Sequence, residues 1–140
     1  KVVYSPDINF FYRGSNLDEN LIFLSATFKG EANSKKNIKK KMDKLIEKKK
    51  KDQPSKIKTC GSTFKNPKNK KAWKLIKNSG CAGMIIGDAY ISKHHCNFFV
   101  NKGNAKASDL EKLIHQVKNK VLNTSGVNLE LELKIIGEKL

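Results

Sequence analysis

The chain has 140 residues, about the length of one domain, and can bury a core without disulfide or metal staples. Its longest apolar stretches, Leu21 to Phe28 and Asn97 to Val100, fall far short of the roughly 20 residues that cross a bilayer, so no membrane span is expected. The net charge of +16 would concentrate any anion, yet Arg13 is the only arginine among 29 basic residues, which speaks against a surface built to read phosphates and bases.

Lys1 is not an initiator methionine, and no charged segment followed by an apolar run and a cleavage site opens the chain. The expectation is a chain that begins inside something larger, with no signal peptide. From Lys1 to about Gly30 it reads as extended, in the pieces Val2-Val3-Tyr4, Asn9 to Tyr12 and Asn20 to Phe28, broken by Ser5-Pro6-Asp7 and Gly14-Ser15-Asn16. These read as strands whose partners lie outside the chain. Next, Ile38, Met42, Leu45 and Ile46 recur at helical spacing within a lysine run from Lys35 to Lys51, with Asn33 or Ser34 available as cap and Pro54 as the stop. This predicts a helix with one apolar stripe and a solvated basic face. A second helix is expected from about Lys71 to Ser79, ending at Gly80, and two strands after it, Met84 to Ile91 and Asn97 to Val100. The clearest helix runs from Ser108 to about Ser125, with Ser108 and Glu111 as a capping box, Leu110, Leu113, Ile114, Val117 and Val121 on one face, and Gly126 at its end. Asn128 to Ile136 alternates, placing Leu129, Leu131, Leu133 and Ile135 on one side of a closing strand. Helices and strands that do not alternate strictly predict an α+β fold, a small sheet with helices packed on it.

Cys60, Cys81 and Cys96 form an odd set without CxxC spacing, which argues against a disulfide framework and a zinc knuckle and fits a reducing cytosol. In His94-His95-Cys96 only His94 and Cys96 could share one strand face, short of the ligands a metal site needs, so no metal is expected.

Three runs could carry chemistry. In Cys60-Gly61-Ser62-Thr63-Phe64-Lys65-Asn66-Pro67 a glycine before the serine permits close backbone approach, while Lys65 and Asn66 add a cation and an amide to a turn fixed by Pro67. Local chemistry alone favours a plain turn in which Ser62 bonds only the backbone. In Phe10-Phe11-Tyr12-Arg13-Gly14-Ser15 the sole guanidinium follows a phenol, either as a functional cation or as one half of a surface ion pair. In Leu129 to Gly137 the outward carboxylates Glu130 and Glu132 read as ordinary solvent-face residues of an edge strand.

Taken together, these runs resemble the UDP-N-acetylenolpyruvoylglucosamine reductase (MurB) family. Tyr12-Arg13-x-Ser15 looks like its tyrosine-arginine signature and Gly61-Ser62-x-Phe64-Lys65-Asn66-Pro67 like its glycine-serine signature. The order Gly80-Cys81-Ala82-Gly83, Ile86-Gly87-Asp88-Ala89, Ser92, His95-Cys96-Asn97-Phe98 and Gly126-Val127-x-Leu129-x-x-Glu132 is similar too. The resemblance covers essentially the whole chain but only the C-terminal part of the family's length. It implies a cytoplasmic flavoenzyme of peptidoglycan precursor synthesis, with FAD as cofactor, NADPH as reductant and a UDP-sugar as substrate. It further implies Arg13, Ser62 and Glu132 as catalytic residues, Ser62 donating the proton, and Lys65 and Asn66 as substrate contacts. Residues 1–30 would be the end of a flavin-binding domain and 31–140 the substrate-binding domain, and the rest of the flavin-binding segment, with its glycine-rich phosphate loop, would be a partner outside these residues. Leu133, where the family commonly has valine, and His94 are mild departures. The competing expectation, prompted by Lys35 to Lys58, is a lysine-rich nucleic-acid-binding domain. A third is a stable core with no activity of its own.

Overall fold

A computed structural model describes residues 1–54 and 57–137, and the chain divides into two units between Ser34 and Lys35. In the first unit Ser5–Asp7 forms a short 3-10 turn with proline at its start. Strands β1 (Phe10–Phe11) and β2 (Gly14–Ser15) then pair antiparallel around Tyr12 and Arg13, with Phe10 opposite Ser15 and Phe11 opposite Gly14. The other two stretches expected as strands, Val2 to Tyr4 and Asn20 to Phe28, join no ladder. A strand needs a neighbour for its backbone groups, and these residues meet none among the described residues, where Ile22, Leu24 and Phe28 are exposed.

The second unit opens with α1 (Lys35–Asp52), set where the lysine run and Ser34 predict it. Its last turn carries Lys49, Lys50 and Lys51, cations that suit the negative end of the helix dipole, and Gln53 and Pro54 follow it. All of its residues are exposed, the apolar stripe of Ile38, Met42, Leu45 and Ile46 included.

Beyond it lie β3 (Lys58–Ser62), α2 (Ala72–Asn78), β4 (Ile85–Ile86), β5 (Ala89–Ile91), β6 (Phe98–Asn101) and α3 (Ala107–Ser125). The strands form an antiparallel sheet in the order β3-β6-β5-β4. Met84 to Ile91 is therefore a hairpin and not one strand. Gly87 takes φ 55° and Gly87-Asp88 turns the chain so that Ile86 faces Ala89. A Cβ at Gly87 would also come 2.7 Å from Asp109 Oδ2, so the glycine admits the start of α3 close to the turn.

Helix α3 lies against β4 and β5, and α2 packs on α3. Leu113, Ile114, Val117 and Val121 are buried, as the spacing predicts. The helix starts at Ala107, one residue before the predicted Ser108, so the residue that caps it changes. Asp109, not Glu111, reaches back to accept the Lys106 N–H at 3.0 Å. Phe64 and Phe99 meet edge to face at 5.9 Å within the core, beside Ile76, Ile91 and Leu129. Truncating fully buried Leu113 to alanine would cost about 2–5 kcal/mol, the usual range for a core leucine. The architecture is α+β, helices on a small antiparallel sheet.

The closing segment departs from the predicted strand. Among the described residues it makes a single bridge, Leu131 opposite Phe64, and its apolar side chains pass from buried Leu129 through half-buried Leu131 and Leu133 to exposed Ile135. Its partner is the short stretch after β3, which is too brief to hold a longer ladder.

Candidate active site

Gly61 takes φ 85°, a left-handed conformation that a side chain would strain, and the β3–β6 register shifts between Thr59 and Ser62. The bulge brings half-buried Ser62 to the end of β3, opposite Phe98. From there the chain runs beside the closing segment. Lys65 N–H donates to Glu130 O at 2.8 Å and Glu132 N–H donates to Thr63 O at 2.9 Å. Ser62, Lys65 and Glu132, separated by some seventy residues of chain, are thereby assembled along one pair of backbones.

Each side chain has a local reason for its place. The Lys65 ammonium forms an ion pair with Glu130, whose carboxylate is largely exposed. Asn66 Oδ1 accepts the Ala72 N–H at 3.0 Å, so the residue predicted as a substrate contact also caps the start of α2. Glu132 is half-buried, with Oε2 closed off from solvent. Arg13 belongs to the first unit. It adopts φ 63° and lies 5.4 Å from the centroid of the Tyr12 ring, a cation–π contact.

Two residues matter more than their sequence context suggests. Asn97 is 3% exposed, and its side chain makes two hydrogen bonds to the Phe64 backbone, accepting from N–H at 3.0 Å and donating to the carbonyl at 2.8 Å. The signal available was a polar residue heading the apolar run Phe98-Phe99-Val100. Glu130, read as a plain solvent-face residue, is the partner of Lys65.

His95 stands 4.8 Å from the Phe98 ring, edge to face, and 6.1 Å from Trp73. Burial holds its imidazole below the ordinary value, opposed by its backbone hydrogen bond. Burial likewise pushes the Cys81 and Cys96 thiols up. His94 is exposed while Cys96 is buried, and among the described residues no group of three or more His, Cys, Asp or Glu is gathered that could hold a metal.

A cavity of about 540 Å³ opens between β3, α3 and the closing segment, lined mainly by apolar side chains such as Leu110, Ile114 and Leu133. None of Ser62, Lys65 and Glu132 lines it, so the hydroxyl, ammonium and carboxyl groups lie outside this apolar space. The polar stretch 62–66 with Glu132 is the stronger candidate for chemistry. It can offer a proton from a hydroxyl, a cation three residues further on, and a carboxyl group across the ladder.

No described helix is long and apolar enough to cross a membrane. Residues 53–136 match the sequence family described as UDP-N-acetylenolpyruvoylglucosamine reductase, C-terminal domain. The chain is 52% identical over 130 residues to the UDP-N-acetylenolpyruvoylglucosamine reductase of Pelagibacter ubique, covering 91% of this chain and 43% of that protein. It is 48% identical over 134 residues to the protein of the same name from Rickettsia prowazekii, covering 96% of this chain and 45% of the relative. The crystal structure of the Thermus caldophilus UDP-N-acetylenolpyruvylglucosamine reductase (MurB) superposes with a TM-score of 0.78 at 34% identity, over 92% of this chain and 46% of that one. The chain thus spans under half the length of the curated relatives it matches. With 84 of its residues, 53–136, inside the family's C-terminal domain, the chain belongs to the UDP-N-acetylenolpyruvoylglucosamine reductase family.

Proposed function

We propose that this chain is the C-terminal part of a cytoplasmic flavoenzyme that reduces UDP-N-acetylenolpyruvoylglucosamine to UDP-N-acetylmuramate in peptidoglycan precursor synthesis, and that its residues handle the enolpyruvyl group. In this reading residues 1–30 end the flavin-binding domain and 31–140 form the substrate domain. The observation that carries it is the antiparallel pairing of residues 130–132 with 63–65, which sets Glu132 beside the stretch that begins at Ser62 in a chain of this family.

Reduced FAD, regenerated by NADPH, supplies the hydride. In this reading the flavin-binding segment outside these residues would hold its pyrophosphate. Once the terminal carbon of the enolpyruvyl group is reduced, negative charge gathers on the carboxylate. The Arg13 guanidinium stabilises that charge more in the transition state than in the ground state, and Glu132 is assigned to the same intermediate. Ser62 then protonates the adjacent carbon. A hydroxyl is a feeble acid in water but becomes competent against a strongly basic enediolate within hydrogen-bond reach, and Lys65 eases the alkoxide left behind. Lys65 and Asn66 also contact the substrate's anionic groups.

The test is direct. Full-length protein, loaded with FAD, is incubated with NADPH and the enolpyruvyl UDP-sugar, and the sugar is followed by mass. A gain of two hydrogens with matching NADPH consumption supports the proposal. A folded, flavin-loaded protein that leaves the sugar unchanged, or binds an oligonucleotide in preference to it, overturns it.

A further inference from the structure

We infer that Asn97 is a positioning residue for the proton donor, clamping the Ser62-to-Lys65 stretch by continuing the β6 side of the ladder beyond the end of β3. The inference rests on the proposed role of Ser62. Up to Thr59 the pairing of β3 is ordinary, with Thr59 opposite Val100, and the register then shifts before Ser62. Past the shift Ser62 pairs with Phe98, and where β3 ends Asn97 takes over. Its backbone carbonyl accepts the Thr63 N–H at 2.8 Å, its Oδ1 accepts the Phe64 N–H at 3.0 Å, and its Nδ2 donates to the Phe64 carbonyl at 2.8 Å.

A side-chain amide offers one acceptor and one donor in a plane, as a peptide group does, and at this site it replaces one. On the far edge the closing segment bonds the Thr63 carbonyl and the Lys65 N–H. The Thr63 and Phe64 backbone groups and the Lys65 N–H are thus all matched, from two sides, around side chains that are buried at Thr63 and Phe64. The stretch cannot slide without leaving a buried polar group unmatched. Asn97 is itself held by the tight loop before β6, where Phe98 N–H donates to His95 O at 2.9 Å and Ser92 N–H donates to Phe98 O at 3.0 Å. A clamp of this kind matters to chemistry because a proton moves only across hydrogen-bond distance, so a small displacement of Ser62 removes it from reach.

Asn97→Asp separates the two side-chain bonds. The carboxylate keeps the acceptor for Phe64 N–H and loses the donor to the Phe64 carbonyl until it is protonated, which burial favours. In the full-length, flavin-loaded enzyme, this variant is expected to oxidise reduced flavin with the enolpyruvyl sugar about a hundredfold more slowly at neutral pH, and to recover as the pH falls. The wild-type enzyme should show no such recovery, and flavin reduction by NADPH should stay near the wild-type rate in both. Asn97→Ala should show the same loss without recovery, together with faster hydrogen exchange at the Phe64 amide. A folded Asn97→Asp enzyme with a wild-type substrate half-reaction would overturn the inference. So would an equal fall in both half-reactions with no acid recovery, which is the signature of a purely structural role. Ser62→Ala is run alongside. If it is slow in the substrate half-reaction and Asn97→Asp is not, the clamp alone fails. If Ser62→Ala is not slow, the proton-donor reading fails and the clamp with it.

Discussion

The Lys65 ammonium meets the Glu130 carboxylate across the same ladder in which Lys65 N–H donates to Glu130 O, so side chains and backbones of two residues 65 apart in sequence are paired together. Glu130 is largely exposed, and the pair is worth about 0.2–1 kcal/mol at such a surface. Its value lies in where it holds the ammonium. Glu130→Gln is expected to shift the melting temperature little and to raise KM for the UDP-sugar with kcat nearly kept. Lys65→Met should raise KM further. Steady-state kinetics and thermal melts on the full-length variants check this, and a large stability loss for Glu130→Gln would count against it.

Ser62→Ala should leave flavin reduction by NADPH nearly untouched and slow oxidation of the reduced flavin by the enolpyruvyl sugar by about 10²–10⁴, the usual cost of a positioned general acid. Ser62→Cys should restore part of the rate, since a thiol can also donate. Stopped-flow absorbance separates the two half-reactions, and equal slowing of both would return Ser62 to a turn residue.

Arg13 is the only guanidinium in the chain, on a left-handed residue at the β1–β2 turn. Arg13→Lys keeps the charge but loses the planar fork that grips a carboxylate at two points. The substrate half-reaction is expected to fall roughly tenfold or more, the worth of one charge-assisted hydrogen bond. Wild-type reoxidation of the flavin in that variant would refute the role.

Burial lowers the His95 pKa from its ordinary value of 6.5, so the unfolded chain takes up a proton more readily than the folded one. The sign follows. His95 stabilises the fold above its ordinary value, and that contribution is lost as pH falls from there through the lowered folded value. Thermal melts between roughly pH 7.5 and 5 should therefore show a loss of stability that His95→Phe, which keeps an aromatic ring between Trp73 and Phe98, reduces. Identical pH slopes for the two proteins would show that another group sets the acid limb.

Helices α1 and α3 were readable because their apolar spacing is local: Leu113, Ile114, Val117 and Val121 mark one face whatever the rest of the chain does. The run from Gly61 to Pro67, the lone Arg13 and the closing Glu132 were equally visible, as residues. The hairpin at Gly87-Asp88 was written there too, as a turn dipeptide inside an apolar stretch, and was hidden by the continuous hydrophobicity around it. The short reach of the closing segment was not written. Alternation names a strand's faces but not the length of its partner, and beside Leu131 the partner is only the stretch that follows β3. Nor could local pattern tell that Glu130 would answer Lys65, or that Asn97 would replace a peptide group for Phe64 33 residues away. Amino-acid order alone determined which residues could donate a proton, carry charge or turn the chain. Which of them meet was decided by the folded sheet, because pairings between distant segments depend on how bulges and loops shift the register, and no local periodicity carries that information.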